Sequence, residues 1–303
     1  MGYFNRIYLL IFFTCLPLIS FAQTEISGFQ NLLISSDATY LGSAQSNSAL
    51  ITNSQSLFLH SYISRSDAGN QDISFGYQNY IGDLKHISLT SRFLFWNQPI
   101  QLGWQKLSAD GIEFRDKPGD SKGSFEAYWM TFAAGTTFQW DQTDIGVTLK
   151  YSQQRLFLDE NFAIAGDFSV SHPVMRDYSL QYVSLQNLGS ASKIGSQTPN
   201  LPLQLKSGWI FYDFSNAQKQ FRVQIVNEMS WLFHGNRFVS NIGAETTIFE
   251  TFSLRGGYRI NHDSNPFSFG TSFSYGSMKI AYSFSYYSTG LNSGHALGYS
   301  WQL

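Results

Sequence analysis

The side chains best suited to metal or proton chemistry are six histidines, His60, His86, His172, His234, His262 and His295. They are scattered, and none forms the His-x-x-x-His spacing that would bring two imidazoles to one helical face, so no local metal motif is present. Serine is abundant, yet no Gly-x-Ser-x-Gly elbow exposes one as a nucleophile, and a triad would have to converge from distant segments. Asp110, Glu113, Asp116 and Asp120 lie close together, but their spacing does not fit a calcium loop, and Arg115 and Lys117 neutralise them. A solvated hairpin loop is the expectation there. The residues therefore point away from an enzyme and imply no metal or cofactor.

One cluster of ionisable residues is of further interest. If Phe249, Glu250 and Thr251 form a turn, Glu245 and Arg255 face each other across a hairpin, with Arg259 on the same parity. Such residues could form a charge ring that selects solutes, or an interior ion pair that replaces lost water contacts. The presence of both signs favours the pair. Either role requires strands with one wet face, and the rest of the chain bears on that.

Arg6 followed by the apolar run Ile7 to Ser20 has the layout of a removable secretion signal, too short for a stable span. Ser20-Phe21-Ala22 supplies the small residues that a signal peptidase reads, so cleavage is expected between Ala22 and Gln23. The single cysteine, Cys15, falls inside that run, which leaves the mature chain without a thiol. Charged residues make up 13% of the chain, about half the ~25% usual in soluble domains, while aromatics reach 17%. Few charges and many rings suit lipid. No apolar run of about 20 residues follows the signal, so a transmembrane helix is not expected. A net charge of −2 without a basic stripe gives no footprint for nucleic acid.

A chain that spans a membrane without helices must close a sheet on itself, since every backbone amide needs a partner inside hydrocarbon. The resulting period of two is plain near the C-terminus. Phe267, Phe269, Phe273 and Tyr275 share one parity, while Ser268, Gly270, Ser272 and Ser274 hold the other. Gly276-Ser277 reads as a hairpin turn. Met278, Ile280, Tyr282, Phe284 and Tyr286 then resume the apolar side, and Leu297, Tyr299, Trp301 and Leu303 continue it. Ile87, Leu89, Phe93 and Phe95 oppose His86, Ser88, Thr90 and Arg92. Ile145, Val147, Leu149 and Tyr151 oppose Gly146, Thr148 and Lys150. Lys206 opposes Leu203, Leu205, Trp209 and Phe211, and Arg222 opposes Phe221, Val223 and Ile225. A soluble β-sandwich alternates too, but its outer face would carry the usual Lys and Glu, where this chain has Ser, Thr, Gly and Asn.

The expected fold is all-β, a transmembrane antiparallel β-barrel of about fourteen strands in the bacterial outer membrane, with outer-membrane lipid around it. Residues 1–22 are the signal, 23–71 a polar N-terminal hatch or periplasmic segment, and 72–303 the barrel. Longer connections are expected at Ser108 to Ser124, Asp159 to Glu160, Asn187 to Asn200 and His262 to Pro266.

Several stretches carry a family resemblance. Ala38 through Gly42, Ser184-Leu185-Gln186-Asn187-Leu188-Gly189, Leu201-Pro202-Leu203-Gln204-Leu205, Gly243-Ala244-Glu245 and Ser253-Leu254-Arg255-Gly256-Gly257-Tyr258-Arg259 resemble the PorV/PorQ family of Bacteroidota outer-membrane proteins, in matching order along most of the mature chain. His60-Ser61-Tyr62 stands where that family has Asn-Pro-Ala. The resemblance implies a FadL-like barrel of fourteen strands with an N-terminal segment in the lumen. It also implies association with the type IX protein secretion system, as a component or adaptor whose partners are other secretion components or cargo bearing a C-terminal signal. The alternative is FadL-like transport of hydrophobic small molecules; an open porin is a third option.

Overall fold

The computed structural model describes residues 28–48, 51, 53–59, 70–115, 117, 120–175, 179–193, 197–216, 220–262, 266–288 and 292–303. The expected signal and its cleavage site at Ala22 and Gln23 lie outside them, as do His60, Ser61 and Tyr62. Fourteen strands follow one another: β1 (Asp72–Asn79), β2 (Lys85–Phe95), β3 (Gln98–Phe114), β4 (Gly123–Trp140) and β5 (Thr143–Leu156). Next come β6 (Asp159–Met175), β7 (Ser179–Ala191), β8 (Gln204–Ser215), β9 (Phe221–Leu232) and β10 (Arg237–Ile248). The sheet ends with β11 (Phe252–Ile260), β12 (Phe267–Tyr275), β13 (Met278–Ser285) and β14 (Gly294–Gln302). Each strand pairs antiparallel with its sequence neighbours, and β1 pairs with β14, so the sheet closes without a free edge. Closure is what allows strands to cross lipid, because no row of unpaired amides is left.

Side chains alternate as the period of two requires. In β12, Phe267, Phe269 and Phe273 point outward, while Ser268, Gly270 and Ser272 are buried in the interior. The expected pattern is therefore inverted relative to a soluble protein, with aromatic and aliphatic residues outside and hydroxyls inside. Trp96, Trp140, Tyr275 and Trp301 ring one end of the barrel, and Phe114, Phe157, Phe233 and Tyr286 the other. The Trp and Tyr rings suit this height because one edge is wetted and the rest is in hydrocarbon, and the Phe rings complete the aromatic girdle.

The outward position of Leu149, midway along β5 and 62% exposed, makes it a direct probe of lipid burial. Leu149→Arg is expected to cost about 2–4 kcal/mol, whereas Leu158→Arg at the β5–β6 turn should cost about 0–1 kcal/mol. Denaturant titration of folding into lipid vesicles measures both.

Three expected connections differ in detail. Asp159 and Glu160 open β6 rather than forming a turn, and the chain reverses at Phe157-Leu158 with Phe157 at φ 57°. Ladder pairing of Leu156 with Asp159 fixed that reversal, outweighing the turn preference of the acidic pair. Most of Ser108 to Ser124 is strand, because β3 and β4 continue pairing as far as Phe114 and Gly123 beyond a bulge between Ala109 and Ile112. Likewise β7 continues past Asn187 to Ala191. The β3–β4 projection is solvated, with exposed ion pairs Lys85–Asp110 at 2.8 Å and Arg115–Glu113. Turns at Trp96-Asn97, Asp141-Gln142, Phe249 to Thr251 and Gly276-Ser277 mark the end of the barrel with short connections. By the usual asymmetry of such barrels this end faces the periplasm, and the end carrying the 192–203 and 286–293 connections faces outward.

Candidate functional site

The interior of the cylinder is filled by residues 28–59, so far as they are described, in three short helical turns: Gln30–Leu33, Ala38–Gly42 and Ser56–Leu59. Asp37 caps the second turn by accepting a hydrogen bond from Tyr40 N at 2.6 Å. This plug is too polar and too short in its elements to fold by its own apolar contacts. Its structure depends on the wall.

Wall glycines make room for it. A Cβ on Gly103 in β3 would lie 2.7 Å from the side chains of Leu57 and Phe58, and one on Gly135 in β4 would lie 2.8 Å from Leu57. On the opposite arc Gly243 and Gly257, partners across β10–β11, admit the backbone of Ser43 and the hydroxyl of Ser46. The seam elsewhere consists of hydrogen bonds. Ser36 Oγ donates to Ser88 Oγ at 2.6 Å, Gln101 Nε2 to Ser56 Oγ at 2.8 Å, and Ser54 N to Asp72 Oδ1 at 2.8 Å. Asn241 Nδ2 donates to the Gln45 carbonyl at 2.8 Å.

Among the described residues four buried ion pairs belt the wall, each joining adjacent strands. They are Arg92–Asp72 at 2.7 Å, Lys150–Asp167 at 2.6 Å, Lys206–Glu228 at 3.2 Å and Arg255–Glu245 at 3.2 Å. Glu245 and Arg255 stand directly opposite in the β10–β11 ladder, and Asn47 of the plug donates to Glu245 at 3.4 Å. Arg259 is not part of this pair. It faces Asn241 across the ladder, two pleat repeats nearer the outer end, and no carboxylate among the described residues lies within ion-pair range of it.

The densest contact between plug and wall centres on Glu228 of β9. Its carboxylate accepts from Tyr40 and Ser48 of the plug, from Tyr182 of β7 at 2.7 Å, and from Lys206 of β8. Lys206 also donates to the Tyr40 hydroxyl at 3.1 Å and to the Leu59 carbonyl at 3.2 Å, where Gln186 Nε2 donates as well at 2.7 Å. Sequence reading placed Lys206 on the wet face but missed Glu228. The available signal was the parity of Gln224 and Glu228 in the strand following Lys206.

Two cavities flank the plug. The inner one, about 190 Å³, is lined by Asp72, Arg92, Asn53, Lys279 and Ser300 among others. The outer one, about 280 Å³, is lined by Tyr40, Gln78, Tyr80, Arg237, Asn241 and Arg259 among others. Tyr80, in the β1–β2 connection, packs edge-on against Tyr287 with ring centroids 5.9 Å apart. Burial pushes its phenol above the usual pKa. Among the described residues no group of three His, Cys, Asp or Glu side chains could hold a metal ion.

No protein-family model matches the sequence, and no curated protein matches it. Solved structures do. The toluene transporter TodX of Pseudomonas putida superposes with a TM-score of 0.56 at 11% identity, over 89% of this chain and 98% of that one. A FadL homologue of Pseudomonas aeruginosa gives a TM-score of 0.48 at 9% identity, over 92% of this chain and 99% of that one. At such identities the likeness is one of fold. Closed strands, an apolar belt and this likeness together make the chain a bacterial outer-membrane β-barrel, similar in architecture to TodX.

Proposed function

We propose that the chain is a gated small-molecule transporter of the FadL-like kind, in which the N-terminal plug closes the lumen and is displaced to let solute pass. The observation that carries this reading is the chemistry of the seam. Hydrogen bonds of the Ser36–Ser88 type hold the plug, each contributing roughly 0.5–1.5 kcal/mol net because water can replace either partner. Apolar clusters that would be costly to expose are small, one comprising Phe29, Leu32, Ala163, Ala165 and Leu201 and another Tyr40, Ile51 and Leu59. A polar seam flanked by a cavity on each side suits a movable closure better than a permanent one. The toluene transport named for TodX supports the same reading through shared architecture alone.

A covalent lock tests it. Ser36 and Ser88 have their hydroxyls 2.6 Å apart, so S36C/S88C should form a disulfide that ties plug to wall. In proteoliposomes the oxidised variant is expected to pass no small hydrophilic solute, and reductant should restore uptake to the wild-type rate. Equal uptake in the oxidised and reduced states would show that the plug is not the gate.

A second reading, the type IX secretion adaptor, draws on the position of the residues that carry the family resemblance. Ala38 through Gly42 and the Gly243-Ala244-Glu245 and Ser253 to Arg259 segments lie against each other, with Gly42 meeting Gly270 and Arg255, and Ser43 meeting Gly243 and Gly257. Those three stretches meet along one seam, while Ser184 to Gly189 lies in β7 and Leu201 to Leu205 leads into β8. A photocrosslinker at Asp120, beside the outward β3–β4 projection, should then capture secretion components or C-terminal-signal cargo in living cells. Capture of neither, together with unchanged cargo export on deletion, would dismiss this reading.

A further inference from the structure

The connection between β7 and β8 is not an ordinary surface loop. Its residues Pro199, Leu201 and Pro202 are buried, and the run 199–203 lies against the plug. The reason is legible in the sequence. The β7–β8 ladder holds from Gln181 and Trp209 to Gln186 and Gln204, and its continuation would set Leu188 against Pro202. Proline brings no N–H to a ladder, so pairing stops there, while β7 continues along β6 to Ala191. The released run meets the plug instead. Gly28 N donates to the Asn200 carbonyl at 3.0 Å, and among the described residues this is the one backbone hydrogen bond between plug and barrel. A Cβ on Gly28 would lie 2.8 Å from that of Pro199, so glycine is what allows the approach. Leu201 packs with Phe29 and Leu32 at the first plug turn and with Ala163 and Ala165 of β6. Among the described residues no other buried apolar cluster that includes the plug contains a residue of an outer connection.

Asn187 straps this run to the wall. It stands at the irregularity in the β6–β7 ladder between Gly166 and Phe168, with φ 63°, a left-handed conformation that asparagine tolerates. Its N–H donates to Asp167 Oδ1 at 2.8 Å, and Asp167 pairs with Lys150 at 2.6 Å. Asn187 Oδ1 accepts from Lys150 Nζ at 3.1 Å, and Nδ2 donates to the Pro202 carbonyl at 3.1 Å. Asn187, Lys150 and Asp167 are all buried, so the strap is sheltered from competing water. We propose that residues 199–203 form an outer latch on the plug, strapped down by Asn187, and that the plug's outer end opens when this run lifts from β7. The grip is confined to the first plug turn. The inner turn, Ser56–Leu59, is held separately, by Gln101 and by the glycine seats of β3 and β4. This deepens the gated-transport reading by naming what releases the plug, and rests on it for the passage of solute but not for the attachment.

Thiol accessibility on the purified full barrel in detergent tests the latch without any solute passing. No cysteine follows Cys15 in the sequence, so one introduced thiol reports alone. Leu32→Cys reports on the outer turn and Ser56→Cys on the inner one, and both positions are buried. Asn187→Gly keeps the positive φ and the amide bonded to Asp167 while removing both side-chain bonds, and Lys150 retains Asp167 as its counter-ion. Asn187→Gly should raise the rate at which a water-soluble maleimide labels Leu32→Cys by tenfold or more, and leave labelling of Ser56→Cys unchanged. Leu201→Ser, which loosens the same run through its apolar contact, should do likewise, with heat-modifiable gel mobility confirming that each barrel is folded. Unchanged labelling of Leu32→Cys in both folded variants would overturn the latch. So would equal acceleration at Leu32→Cys and Ser56→Cys, because the plug would then leave as one body. The gate is judged separately: uptake by S36C/S88C that is equal oxidised and reduced, with the outer turn still exposed by Asn187→Gly, keeps the latch and removes the gate.

Discussion

Glu228→Ala should release the plug and turn a closed barrel into a conducting one. The substitution removes the acceptor shared by Tyr40, Ser48, Tyr182 and Lys206, and leaves Lys206, 7% exposed, without a counter-ion. Removing one member of a buried ion pair typically costs about 3–5 kcal/mol, because the remaining charge is still desolvated. The lower end of that range applies here, since the outer cavity lies against Lys206 and water can approach it. The cost falls on the plug rather than on the wall, whose strands keep their ladders on both sides of β9. Single-channel recording should show frequent open events absent from the wild type, and residues 28–59 should become cleavable by added protease. Lys206→Met in the same chain removes the stranded cation and should recover much of the closure. A Glu228→Ala barrel as closed and protease-resistant as the wild type would show that this cluster does not hold the plug.

Gly103→Phe should evict the plug by a different route, and with comparable effect. The nearest atoms to a Cβ at this position all belong to Leu57 and Phe58 of the plug, none to neighbouring strands. A benzyl group there occupies the seat of Leu57, which is fully buried. Overpacking of a filled interior costs about 1–3 kcal/mol and more where the neighbours cannot move. The wall gains a residue that favours strands over the glycine it loses. Gly256→Ala is the matching control, because a Cβ there meets nothing nearer than 3.7 Å. Conductance should rise for Gly103→Phe alone, with both barrels showing the same heat-modifiable mobility. Indistinguishable conductance in the two variants would place the Ser56–Leu59 turn outside the closing contact.

Much of the wall was readable from residue order, for a reason particular to membranes. Lipid punishes a misplaced charge or an unpaired amide so heavily that the period of two in Phe267 to Tyr275 or Ile145 to Tyr151 admits one face outward and one fold class. The pairing of Glu245 with Arg255 could be anticipated in the same way, since a short turn at Phe249 to Thr251 sets the register of the hairpin around it. Turn placement was less legible, as Asp159-Glu160 illustrates: turn preference is a local quantity, while the reversal at Phe157-Leu158 is dictated by the ladder on either side.

The amino-acid order by itself determined a closed antiparallel barrel with a greasy exterior, because alternation is a property of neighbours in the chain. Only the tertiary structure decided what the lumen contains and does. Contacts such as Tyr40 with Glu228 and Leu57 with Gly103 join segments far apart in sequence, and no periodicity encodes which wall position meets which residue of an aperiodic plug. Arg259 shows the difference most clearly: parity placed it with Arg255 in the lumen, but that it lies opposite Asn241 and pairs with no carboxylate among the described residues emerged only when the cylinder closed around it.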